Sequence, residues 1–242
     1  MPDHIVSAFD TDLGRLRSGI AEMGGIAEKM LTDATIALVR DDAALAQIVI
    51  TADPRLDALQ RDIEEGAILT IARRQPLALD LREIISAIRI AGDLERAGDL
   101  SKNTAKRVLA VTGRAHPKRV VAGIQHMSDL TLGQLKDVLD AYAADDAGTA
   151  VAVWERDGAI DALHTSLFRE LLTYMMEDPR SISFCTHLLF CTKNVERIGD
   201  HTTNIAETIH YLVTGEPLVA ERPKDDRSSF AIVEPPAGAG QM

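Results

Sequence analysis

The chain has 242 residues, and 26 Lys and Arg against 37 Asp and Glu leave a formal charge of −11 that argues against gripping nucleic-acid phosphates. Hydrophobic residues at 46% and charged residues at 26% suit a soluble globular protein with a sizeable core, and the aromatic content of only 4%, in a chain rich in Ala, Leu, Glu and Arg, predicts an all-α fold. The longest stretch without Asp, Glu, Lys or Arg runs from Ser181 to Thr192, well short of the ~20 apolar residues that span a bilayer, so no membrane insertion is expected. An acid at Asp3 and no apolar run behind it predict no export signal, and hence a cytoplasmic protein.

In chain order, prolines and Asp-rich turns divide the sequence into six segments of helical periodicity. The first is predicted over residues 5–40, and the second over 43–74 after Asp41-Asp42. Pro54 falls inside the second, where an interior proline costs ~3 kcal/mol or kinks the helix, so a bend is expected there. The third follows Gln75-Pro76 over 78–113, with Leu94, Ala97, Ser101, Thr104, Val108 and Val111 as its packing stripe. The fourth spans 117–144, the fifth 147–177 after Asp145-Asp146, and the sixth 180–214 after Asp178-Pro179. The sixth repeats the stripe at Val195, Ile198, Thr202, Ile205, Ile209 and Leu212. Its two cysteines, Cys185 and Cys191, lie about 120° apart round a helix, a poor geometry for a disulfide or a shared metal, and are read as core thiols. Beyond Gly215 stand four of the nine prolines, so residues 216–242 are read as a flexible tail.

The two stripes belong to a larger duplication. Asp93-Leu-Glu-Arg-Ala-Gly-Asp99 aligns with Asn194-Val-Glu-Arg-Ile-Gly-Asp200, 101 positions later, and Asn103 then falls on Asn204. Asp53-Pro-Arg-Leu-Asp57 likewise aligns with Asp157-Gly-Ala-Ile-Asp161, 104 positions later. Two tandem three-helix units, 5–113 and 117–214, follow from these offsets. Each unit carries two acidic pairs at i and i+4: Asp53 with Asp57 and Glu95 with Asp99, then Asp157 with Asp161 and Glu196 with Asp200. Such a pair shares one helix face about 5–6 Å apart, close enough for a hard cation but mildly unfavourable to the helix itself.

In an antiparallel hairpin, residues at one height are equidistant from the turn. Positions 57 and 95, like 53 and 99, are centred on Pro76, while 161 with 196 and 157 with 200 are centred between Asp178 and Pro179. Both units therefore bring four carboxylates to one level, and the expected occupant is one or more divalent or ferric ions, with iron, magnesium, manganese, calcium and zinc all open on ligand type. Glu95 and Asp99 lie more than 100° from the centre of the Leu94 stripe, so the site is expected on a bundle face rather than in the core.

A di-iron oxidase would need two Glu-x-x-His pairs, whereas only Glu207-x-x-His210 has that spacing and His210 reads as a surface or rim residue. His201 is either a peripheral ligand or solvated, with the second favoured, and Arg96 and Arg197 either orient the carboxylates or neutralise them. There is no phosphate-cradling glycine loop, nucleophile elbow or Cys/His zinc cluster, so no enzyme is expected.

The doubled Asp-Leu-Glu-Arg-Ala-Gly-Asp and Asn-Val-Glu-Arg-Ile-Gly-Asp-His-Thr-Thr-Asn-Ile-Ala-Glu signature resembles that of the PhoU phosphate-uptake regulator family, over residues 5–214. The resemblance implies a pair of three-helix bundles whose Glu/Asp-x-x-x-Asp motifs hold multinuclear metal clusters: Asp53, Asp57, Glu95 and Asp99 in one, Asp157, Asp161, Glu196 and Asp200 in the other. Pro54, and Leu100 where the second copy has His201, depart from the stronger copy and point to a weaker or differently populated first site. It further implies a negative regulator of the phosphate-starvation response, a homodimer linking the ATPase subunit of a phosphate ABC transporter to a phosphate-sensing histidine kinase. A metal-storage bundle and a metal-dependent phosphohydrolase are the competing readings.

Overall fold

The computed structural model describes residues 2–114 and 117–218. Helix accounts for 91% of them, and no strand occurs among the described residues. The helices are α1 (Pro2–Arg40), α2 (Ala43–Arg74), α3 (Leu79–Val111), α4 (Lys118–Ala144), α5 (Ala147–Glu155), α6 (Gly158–Glu177) and α7 (Ile182–Thr214), with a 3₁₀ turn at Pro179–Ser181 before the last. The flexible tail expected over 216–242 lies, from residue 219 on, outside the described residues.

The punctuation works by side-chain chemistry, and it works twice. Asp41 and Asp145 end α1 and α4 in the left-handed conformation, at φ 56° and 51°, which Asp tolerates better than most residues. The next residue starts the next helix: the Asp42 carboxylate accepts from the Leu45 N–H at 2.9 Å, and that of Asp146 from Gly148 and Thr149 at 2.9 and 3.1 Å. These side chains satisfy N–H groups that a helix start leaves without partners.

α1, α2 and α3 pack as one three-helix unit, and α4, α5 with α6, and α7 as the other. α3 lies against α7 and α1 against α4, so the two units share a core. All twelve stripe residues of α3 and α7 are buried. The shared face is pinned by polar contacts: His201 Nδ1 lies 2.8 Å from Asp93 Oδ1, the Asn204 amide donates to the same oxygen at 3.3 Å, and Asn194 donates to Thr104 at 3.2 Å. Near the far end Arg17 of α1 donates to Glu83 at 2.6 Å and to Asp145 at 3.0 Å.

The fifth predicted helix departs from expectation. It is two helices, interrupted at Arg156 and Asp157, while α2 runs unbroken through Pro54, the equivalent of Gly158. Asp157-Gly158 joins a residue that favours helix starts to one with poor helix propensity, which weakens the chain there more than the sequence pattern conveys. At the break the Arg156 carbonyl accepts from the Ala159 N–H at 3.2 Å and from the Gln134 amide of α4 at 3.1 Å, and the Arg156 side chain is held by Asp137.

Candidate functional site

In the first unit α2 presents Asp53 and Asp57, and α3 presents Glu95 and Asp99. The hairpin sets them side by side. Burial pushes the Glu95 carboxyl above the ordinary range, Asp99 adds to the effect, Arg96 opposes it, and Asp57 raises it further from across the hairpin. Asp53 and Asp99 are joined through Lys102, whose Nζ donates to Asp53 Oδ2 at 2.6 Å and to Asp99 Oδ1 at 2.5 Å. Burial works against the charge of Asp99, but the hydrogen bond and charge of Lys102, helped by Arg96, hold its carboxyl below the usual range. Burial also disfavours the Lys102 ammonium, yet Asp53 and Asp99 together raise it above the ordinary lysine value. Arg96 sits 3.1 Å from Glu95 and 3.3 Å from Asp99, which assigns it to neutralising the pair. Arg197, its counterpart, is exposed.

In the second unit the helix break changes what the first acid can do. Asp157 stands at the N-terminus of α6 but makes no side-chain capping bond, and its Oδ1 lies 3.6 Å from where a Cβ on Gly199 would be. Its carboxylate therefore faces α7 beside Asp200. The α6 N-terminus also favours negative charge on Asp157 and on Asp161 in the first turn. Asp157, Asp161 and Glu196 are 1%, 3% and 4% exposed, and Lys193 Nζ donates to Glu196 Oε1 at 2.8 Å.

These levels are less open than a single packing stripe implies. Asp53, Glu95, Asp157, Asp161 and Glu196 are buried, and only Asp57, Asp99 and Asp200 reach half-burial. The hairpin itself covers them: Glu95 and Asp99 face Asp57 and Asp53 of α2, on the opposite side of α3 from Asp93 and Thr104, which meet α7.

Two features of the site escaped the pattern of acids. Gly98 and Gly199 occupy the same place in the two copies, and at each a Cβ would crowd the facing helix: against Leu56 Cδ2 at Gly98, and 3.2 Å from Ile160 Cδ1 at Gly199. The repeated signal was in view, since both motifs read Glu-Arg-x-Gly-Asp. Lys102 carried no such signal, because nothing at the equivalent place, Thr203, is basic.

Other candidates are absorbed elsewhere. Glu207 accepts from the Trp154 indole at 2.9 Å, and His210 lies 3.1 Å from the Glu216 carbonyl oxygen. His201 serves the contact between the units rather than open solvent. Cys185 and Cys191 are buried free thiols, and burial pushes that of Cys191 up to about 12, which makes it inert. A groove of about 710 Å³ between α1 and α2 is lined by none of the eight acids.

Oxygen donors of this kind suit hard cations. As placed, no three Asp, Glu, His or Cys side chains among the described residues converge closely enough to hold a metal ion. The second set supplies oxygen donors suited to such an ion, with Asp157, Asp161 and Glu196 buried and Lys193 Nζ 2.8 Å from Glu196. The first does not while the Lys102 ammonium stands between Asp53 and Asp99.

Comparison with known proteins places the chain in a family. The PhoU domain matches twice, over residues 20–108 and 124–209. The phosphate-specific transport system accessory protein PhoU homolog of Rhizobium meliloti is 61% identical over 226 residues, covering 93% of this chain and 95% of that one. The homolog of the same name from Caulobacter vibrioides is 49% identical over 226 residues, covering 93% and 98%. The crystal structure of PhoU from Pseudomonas aeruginosa superposes with a TM-score of 0.83 at 39% identity, over 86% of this chain and all of that one. The phosphate transport system regulatory protein PhoU from Streptococcus pneumoniae does so with a TM-score of 0.81 at 30% identity, over 88% of this chain and all of that one.

Proposed function

The chain belongs to the PhoU family, and on that footing we propose that it is an accessory regulator of phosphate transport. In finer detail it is a cytoplasmic negative regulator of the phosphate-starvation response. It links the ATPase subunit of a phosphate ABC transporter to a phosphate-sensing histidine kinase, acts as a homodimer and catalyses no reaction. The observation that carries this reading is near full-length identity of 61% to a phosphate-transport accessory protein. No described helix is long and apolar enough to cross a membrane, which suits an adaptor that docks on a membrane complex without entering it. The carboxylate levels add a metal-dependent element, a divalent or ferric ion held by Asp157, Asp161, Glu196 and Asp200; Asp53, Asp57, Glu95 and Asp99 form the equivalent set in the first unit.

The test is a deletion strain grown in high phosphate. Constitutive alkaline phosphatase, returned to repression by the wild-type gene, is the expected result. Normal repression with altered metal tolerance would replace the regulator by a metal-storage bundle. Copurification with the transporter ATPase and with the kinase, each alone, tests the two proposed links separately.

A further inference from the structure

We propose that Lys102 is the resident cation of the first carboxylate level, so that the first unit excludes the metal that the second accepts. The exclusion stands on the Lys102 geometry alone, while the contrast rests on the metal reading of the second unit.

Lys102 reaches its place from α3, three residues beyond Asp99, and spans the hairpin to Asp53 on α2. Its side chain is 17% exposed, so the ammonium and its two carboxylates form a shielded bridge. A divalent ion entering here would have to take Asp53 and Asp99 from the ammonium, which its tether keeps within a few Å. Two cations that close in a shielded site repel strongly.

The second unit differs at this position. Thr203 stands 101 residues after Lys102, and its hydroxyl donates to the Asp200 carbonyl at 2.8 Å, within its own helix. The basic residue there, Lys193, approaches from the position equivalent to Gly92 and is 43% exposed, so it has solvent to move into if an ion takes its partner. The two levels thus differ in how firmly their lysine is held, Lys102 shielded between two carboxylates and Lys193 on Glu196 from a more exposed position that an ion can displace. The first ties α2 to α3 at all metal concentrations, and metal responsiveness is confined to the C-terminal unit.

The experiment uses the full chain, purified without an affinity tag, dialysed against Mn²⁺ and assayed by elemental analysis and by melting with and without chelator. Glu95→Gln should leave the metal content of the wild type unchanged, whereas Asp200→Asn should lower it. Lys102→Thr, which installs the residue of the second unit, should gain about one ion per chain and keep it when Asp200→Asn is added. Mn²⁺ should also raise the melting temperature of the Lys102→Thr, Asp200→Asn protein, and adding Glu95→Gln should abolish that rise. If Lys102→Thr fails to give a helical circular dichroism spectrum, the longer Lys102→Gln is read in its place. Metal lost from the wild type on Glu95→Gln would place the ion in the first unit and overturn the proposal. So would a folded Lys102 variant that gains no metal. A wild type that binds none while the Lys102 variant binds an ion would overturn the contrast with the second unit and support only the exclusion by Lys102.

Discussion

Replacing Gly98 by alanine tests whether close approach of α2 and α3 sets the first carboxylate level. A Cβ at Gly98 would collide with Leu56 Cδ2, and Leu56 is fully buried, so it has no open space to turn into. Overpacking of this kind costs about 1–3 kcal/mol, against roughly 1 kcal/mol gained by exchanging glycine for alanine inside a helix. Gly92 on the same helix provides the control, because nothing lies within 4 Å of its added Cβ and only the helical gain applies. The two variants should therefore differ by about 2 kcal/mol, or about 4–8 °C in melting temperature for a domain of this size, with Gly92→Ala above wild type and Gly98→Ala below it. Gly199→Ala, 3.2 Å from the end of Ile160, should fall between them. The measurement is thermal or urea denaturation followed by circular dichroism, in chelator so that metal binding does not contribute. A double-mutant cycle sharpens it. Leu56→Ala alone should cost about 2–5 kcal/mol, but in its presence Gly98→Ala should become stabilising because its obstruction is gone. Gly98→Ala and Gly92→Ala melting together would refute the reasoning, since the collision would then be absorbed at no cost.

Removing the carboxylate of Asp42 or of Asp146 by alanine should in each case cost about 1 kcal/mol in a urea titration, and more than the same change at an exposed mid-helix acid. Crowding of carboxylates has a readable sign at Glu95: its carboxyl is raised in the folded state by burial and by Asp99, so its contribution is fully present below the unfolded value and is lost as pH rises through the folded one. In chelator, Glu95→Gln should accordingly raise stability at neutral pH and flatten this part of the acid-side profile; equal profiles for wild type and variant would contradict it. Asp99 runs the other way, because its folded value is depressed: its contribution is present above the unfolded value and lost as pH falls through the folded one, and Asp99→Asn should erase that loss. Glu196→Gln and Asp200→Asn should each abolish most of the stabilisation that Mn²⁺ gives the wild type, yet leave the chelated protein no less stable, as melting curves with and without chelator will show.

Much of this was legible in the sequence because the signals were local and repeated. The Asp41-Asp42 and Asp145-Asp146 turns appear where the chain needs a left-handed residue followed by a helix cap, and the stripes of α3 and α7 bury every residue the 3.6-residue period selects. In the first unit the pairing of Asp53 with Asp99, through Lys102, and of Asp57 with Glu95 followed from counting outward from Pro76, since a helix advances a fixed distance per residue. What periodicity cannot report is the number of neighbours a helix has. Glu95 and Glu196 are buried within their own units, where Gly98 and Gly199 let the facing helix come close, and how close depends on tertiary packing. The break before Gly158 was obscured for a related reason: besides its local bond from Ala159, the Arg156 carbonyl accepts from Gln134 on another helix.

The divergence of the copies is informative because the backbone plan of both has survived it. Both keep the paired acids, the Glu-Arg-x-Gly-Asp motif and the small residue where the hairpin closes. They differ where charge is balanced. The first keeps α2 continuous through Pro54 and answers its carboxylates with Lys102 and Arg96, so its helices are tied by groups always present in the chain. The second interrupts the equivalent helix, sets Asp157 and Asp161 at a new N-terminus, and answers Glu196 with Lys193, which is 43% exposed. A buried carboxylate cluster is costly unless its charge is compensated. A bound ion would supply that compensation only when the metal is available, so metal would change how firmly α6 and α7 are held while α2 and α3 stay fixed. Since α7 also carries His201 and Asn204 against Asp93 of α3, a change in its packing is transmitted directly to the interface between the two units.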